Sequence, residues 1–163
     1  MMLLALLATA AAQDPLVDAL SAELQSNMDA LRLEDAAEPY FISYLIYDVD
    51  NISITAQLGG LIADDVSPSR QLGVGVRVGS AALDSANFDA LGEGDGFSRR
   101  TLVRDDVATA LQHDAWLVTD GAYKSAVENL SRKEALARRR IAADETLDFA
   151  PGAPLQADLG RAD

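Results

Sequence analysis

RQLGVGVRVG, Arg70 to Gly79, places Leu72, Val74, Val76 and Val78 on alternate positions, with Gly73, Gly75 and Gly79 leaving the other side nearly bare. Successive side chains of an extended chain point to opposite faces, so the stretch predicts a strand with one dry face and one glycine face. Glycine weakens a strand and marks a place where other backbone approaches or the sheet coils. The glycine side therefore needs a neighbour: a helix of the same domain is the first expectation, another lobe or a partner the second.

Upstream, YFISYLIYDV (Tyr40–Val49) is rich in aromatic and β-branched residues and apolar on both faces, which predicts a central strand needing cover on both sides. Asp48 and Asp50 with Asn51 supply turn chemistry, and NISITAQL then alternates, with Ile52, Ile54, Ala56 and Leu58 on one face. Gly59 and Gly60 allow a bend, LIAD adds a short irregular strand, and DDVSPS reads as a loop. Downstream, AALDSANF gives a further short strand and LGEGDGFS a glycine-rich loop.

Two helices flank this meander. Asp14 can cap a helix that starts with Pro15, and Leu16, Leu20, Leu24, Met28 and Leu31 recur at helical spacing to about Leu33, where EDAAEP stops it. A long helix begins near Asp105 and Asp106 and carries Val107, Leu111, Ala115, Val118 and Ala122, widened by Trp116, Tyr123, Val127 and Leu130. Its far end, SRKEALARRR, puts cations where the helix dipole is negative. The predicted class is α+β: an antiparallel sheet of four or five strands packed by two main helices.

The chain has 163 residues, 49% of them hydrophobic, enough for one domain with a modest core. MMLLALLATAAA, residues 1–12, is an uncharged apolar run ending in the small residues of an A-x-A cleavage site, which predicts an export signal and a periplasmic or extracellular address. Gln13, Asp14 and Pro15 interrupt it well short of the ~18 apolar residues of a membrane span. Residues 13–141 make the domain, and 142–163, with Pro151, Gly152 and Pro154, read as a flexible tail or a linker whose continuation is missing.

Zero cysteines exclude disulfides and thiolate metal sites, and 26 acidic against 13 basic residues give a net charge of −13, which repels nucleic acid and anionic lipid. His113 is the single histidine, and Asp114 beside it points elsewhere on a helix, so neither a hydrolytic triad nor a zinc site can be assembled from the pair. DALGEGDG, Asp89–Gly96, departs from the calcium-loop spacing, and Asp48 and Asp50 read as turn caps. No catalytic, cofactor-binding or metal-ligating residue is assigned.

The order helix, two strands, loop, GVGVRV (Gly73–Val78), the ANF segment and a long helix containing AWLVTDGAYKSAVENL resembles the amino-terminal domain of the TldD/PmbA metallopeptidase family, most of all its exported members. The resemblance implies a two-lobed protein whose carboxy-terminal lobe holds zinc in an H-E-x-x-x-H motif, absent from this chain. The expected role is then a non-catalytic amino-terminal lobe, with that second lobe or a homo- or heterodimer partner beside it, and peptide as substrate of the complete enzyme only. The alternative is a stand-alone secreted binding or scaffold module.

Overall fold

The computed structural model describes residues 14–86 and 97–138, together with Asp148 and Ala157. Among them are five elements: α1 (Pro15–Ala30), β1 (Pro39–Gln57), β2 (Gly60–Val78), β3 (Ser98–Leu102) and α2 (Ala108–Ala137). The strands form one antiparallel sheet in the order β1-β2-β3, with both helices on one face. The α+β class stands, with three strands among the described residues in place of four or five. The signal segment 1–12, the loop Asp89–Gly96 and nearly all of the 142–163 tail lie outside the described residues.

The largest departure is that four expected strands and the expected loop DDVSPS are two long strands. Asp50 and Asn51 do not turn; β1 runs through them, pairing Asp50 with Pro68 and Asn51 with Ser67 in unbroken register. LIAD and DDVSPS both belong to β2. Local turn preference is a weak term, and an uninterrupted ladder outweighs it. Pro68 is tolerated because β3 pairs only with Arg70–Val74, leaving β2 an open edge beside it. The reversal lies at Leu58 and Gly59, whose φ values of 52° and 79° suit the two-residue turn that matches strand twist.

The third strand, SRRTL, was not expected, because its serine, arginines and threonine carry no apolar alternation; its pairing with β2 makes it a strand. AALDSANF, by contrast, holds a turn in its described part, closed by Ser80 N–H to Leu83 O (3.0 Å) and by a single bridge from Gly79 to Asp84. Among the described strands, β2 and not the aromatic β1 is the central one, and β1 is at an edge.

The helices follow their apolar spacing. The Asp14 carboxylate accepts from Leu16 N–H at 2.9 Å, the cap expected there, but α1 ends at Ala30, three residues before Leu33. Leu16, Leu20 and Leu31 are buried, and Leu24 and Met28 pack beside them. On α2, Leu111, Ala115, Val118, Ala122, Tyr123, Ala126 and Leu130 are buried, whereas Val107 and Trp116 are exposed. Of the basic run, Arg132 is paired to Glu128 and Lys133 to Asp148, Arg138 stands at the C-cap of α2, and Arg139 and Arg140 lie outside the described residues. The dry face of β2 is as its alternation predicts, with Leu72, Val74 and Val78 fully buried and Val76 nearly so.

Candidate functional site

Three polar clusters lock the core to its surroundings, and an open sheet face lies outside them. The first is Arg70. It shares the phase of Leu72 and Val74, so its guanidinium points under the helices, where only 7% of its side chain is exposed. It donates to Asp48 (2.7 and 3.2 Å) on β1 and to Asp106 (2.6 Å) ahead of α2. Burial works against its charge, but the hydrogen bonds and charges of Asp48 and Asp106 outweigh that and hold its pKa above the ordinary arginine value. Arg104 extends the cluster to Asp50 at 3.0 Å. Asp48 and Asp50 are thus strand residues tying β1 to the start of α2, not turn caps.

The second cluster joins α1, β1 and α2. Asn27 donates to Tyr44 Oη (3.1 Å) and to the Glu23 carboxylate (2.9 Å), and Tyr44 shares a 2.8 Å hydrogen bond with Thr119. Thr119 donates on to Ala115 O at 2.7 Å. Burial raises the pKa of both Tyr44 and Glu23 against the opposing pull of these hydrogen bonds.

The third centres on Asp84, whose side chain is fully buried. It accepts from Tyr40 Oη (2.7 Å), Arg77 (2.7 Å) and Ala86 N–H (2.8 Å). Burial alone would raise the Asp84 pKa, but these donors prevail and hold it below the usual carboxylate range. Burial and the neighbouring Asp84 push the Tyr40 phenol up to about 12. Asp148 joins the same corner: it accepts from Asp84 N–H at 2.9 Å and from Lys133 at 2.6 Å. One residue of the expected tail is therefore held against the body.

Among the described residues, no buried side-chain nitrogen or oxygen lacks a hydrogen-bond partner, which suits clasps between elements better than chemistry on a substrate. His113 is exposed on α2, stacked on Trp116 with ring centroids 6.4 Å apart, and Asp114 turns away to Arg100 at 3.0 Å. Among the described residues, no group of three or more His, Cys, Asp or Glu side chains is placed to hold a metal ion. The one histidine and its acidic neighbour do not fit zinc. No described helix is long and apolar enough to cross a membrane.

The face of the sheet opposite the helices is the surface that nothing in the core explains. β1 presents Phe41, Leu45, Tyr47 and Val49 there, each between 37% and 48% exposed. Across from them on β2 stand Arg77, Gly73, Gln71 and Ser69, with Gly75 opposite Ser43. Both helices are on the other side, so the expected helix against the glycines is not what the fold builds. The neighbour is Phe97: a β-carbon added to Gly75 would stand 3.2 Å from its ring, and one added to Gly73 3.6 Å. Glycine lets this aromatic ring, from the residue just before β3, approach β2 closely. Arg70 and Phe97 both escaped the sequence reading. Arg70 had a signal, a cation in phase with a dry face; Phe97 stood in a segment read as loop.

No family model, curated protein or solved structure matches the chain.

Proposed function

We infer that the chain acts as a non-catalytic lobe, the amino-terminal part of an exported TldD/PmbA-like metallopeptidase, and that its open sheet face is what a carboxy-terminal lobe or a dimer partner covers. The observation supporting this reading is that face: Phe41, Leu45, Tyr47 and Val49 are exposed along one side of β1, with Arg77, Gly73, Gln71 and Ser69 across from them on β2. Contiguous apolar surface of this kind is uncommon on a domain that works alone. The buried polar clusters around Arg70, Tyr44 and Asp84, in contrast, tie elements to one another. In such an assembly the metal chemistry belongs to the H-E-x-x-x-H motif of the other lobe, and this lobe shapes the space that peptide enters.

The coding sequence downstream of the Asp163 codon tests the reading. An in-frame H-E-x-x-x-H segment is expected; a stop with no such frame points to the stand-alone secreted binding or scaffold module. With added zinc, the purified chain is expected to leave peptide substrates intact, and metal-dependent hydrolysis by this polypeptide alone would overturn the assignment. Export predicts a mature protein that has lost residues 1–12, which an intact mass reads directly.

A further inference from the structure

Beyond the body, β1 and β2 continue as a two-stranded ribbon. Every residue from Tyr47 to Ile62 and from Asp64 to Pro68 is exposed. The ribbon is patterned all the same. On one face Ile52 pairs with Val66, Ile54 with Asp64 and Ala56 with Leu61; on the other, Asn51 pairs with Ser67, Ser53 with Asp65 and Thr55 with Ala63. Ile52, Ile54, Leu61 and Val66 are 64–67% exposed. Their face is the one that carries Ile42, Leu72 and Val74 under the helices, so the dry side of the sheet runs on past the point where the helices stop. A two-stranded ribbon is marginal in water unless an apolar face is covered.

Charge says what kind of element covers it. Residues 49–69 contain Asp50, Asp64 and Asp65 and no lysine or arginine. Asp50 is matched by Arg104, whereas Asp64 and Asp65 make no ion pair among the described residues. Asp64 stands within the apolar face, directly across from Ile54. A second copy would bring like charges together from a chain of net charge −13, and anionic lipid would be repelled. Two strands about 4.8 Å apart are as wide as one helix can cover, and the four steps from Ile52 to Ala56 span ~14 Å, the length of about nine residues of helix.

We propose that the apolar face of this ribbon docks a basic amphipathic helix of a partner protein. The helix lies along the ribbon with its apolar stripe on Ile52, Ile54, Leu61 and Val66 and a Lys or Arg over Asp64. The site is separate from the open face of the body and does not depend on the peptidase-lobe reading.

The test is titration of the full chain with a labelled helical peptide of about 18 residues, leucine on one face and lysine on the other, and with its glutamate-for-lysine counterpart. The lysine peptide is expected to bind, more weakly as salt rises, and the glutamate peptide not to. Ile54→Ser is expected to weaken binding roughly tenfold, the effect of one large apolar contact. Asp64→Lys is expected to reverse the preference between the two peptides. Both positions are on the exposed ribbon, and an unchanged thermal transition verifies that the variants are folded. Equal binding of the two peptides, or binding indifferent to both substitutions, overturns the proposal. So does concentration-dependent dimerisation lost in Ile54→Ser, which makes a second copy the occupant. Flotation with phosphatidylcholine vesicles lost in the same variant also overturns it, by making lipid the occupant.

Discussion

An alanine substitution at each of the three glycines Gly73, Gly75 and Gly79 separates three physical effects within one short stretch. At Gly73 the new methyl would meet Phe97 at 3.6 Å and Leu45 O at 3.7 Å, ordinary contact distances. With no strain to offset it, the loss of unfolded-state freedom should stabilise the domain by about 0.5 kcal/mol. At Gly75 the methyl would stand 2.9 Å from Ser43 Oγ and 3.2 Å from the Phe97 ring. The hydroxyl can rotate away and the ring can shift slightly, so the net change should stay within about 1 kcal/mol of zero. Gly79 differs in kind. Its φ of +98° disfavours any β-carbon, and the added methyl would lie 2.6 Å from the carbonyl oxygen of Leu83 and 3.2 Å from the Leu130 methyls.

That carbonyl is backbone, and it already accepts from Ser80 N–H at 3.0 Å inside the turn, so it cannot swing aside without opening the turn. Strain from the positive φ contributes about 1–2 kcal/mol. The enforced backbone shift brings the expected loss to roughly 3 kcal/mol, a fall in midpoint temperature on the order of 10 °C for a domain of this size. Urea unfolding, followed by the fluorescence of Trp116, orders the three variants. Gly59→Ala is the control, since Gly59 has a φ of +79° but nothing within 4 Å of an added methyl. If Gly79→Ala costs no more than Gly59→Ala, the close approach of the Leu83 carbonyl is not a constraint and the reasoning fails.

Arg70→Met should destabilise by about 2 kcal/mol in urea; the figure sits below that for breaking a fully buried pair because Asp48 and Asp106 are 40% and 47% exposed and regain water. Tyr44→Phe removes the hydroxyl shared by Asn27 and Thr119 and should cost about 1 kcal/mol, read from the same unfolding curves. The Tyr40 phenol, raised to about 12, gives a contribution that is fully present below the unfolded value of about 10 and is lost as pH climbs through the folded value. Stability should therefore fall between about pH 10 and 12, and Tyr40→Phe should flatten that fall; an unchanged alkaline slope would refute the raised phenol pKa that burial and Asp84 produce. Asp84 acts in the opposite range, its lowered pKa giving stability that is present above about pH 4 and lost on further acidification, so Asp84→Asn should weaken the acid transition.

What could be read locally was read from residue type and repeated spacing. The cap at Asp14 follows from residue type ahead of Pro15, and the apolar stripe of α1, the buried side of α2 and the dry face from Leu72 to Val78 follow from periodicity, because burial of one face imposes a period of its own on the residues. Strand ends and strand partners had no such mark. Asp50, Asn51 and Pro68 favour turns as isolated residues, yet the ladder that overrides them is a sum over distant pairs that no short window contains. SRRTL has no apolar alternation and becomes β3 only because the edge of β2 is available to it.

The sequence by itself determined the class, the dry face, the acidity and the lack of thiols, each a property of composition or period. Only the tertiary structure decided which side of the glycines is covered. The helices took the valine face because it offers apolar area to bury, and that left Phe97 as the neighbour of Gly73 and Gly75. It also decided that Arg70 and Asp48 meet, and that Ile52, Ile54 and Val66 remain in water. Those outcomes depend on where each element ends relative to the others, a long-range quantity set by packing and not carried by any single segment.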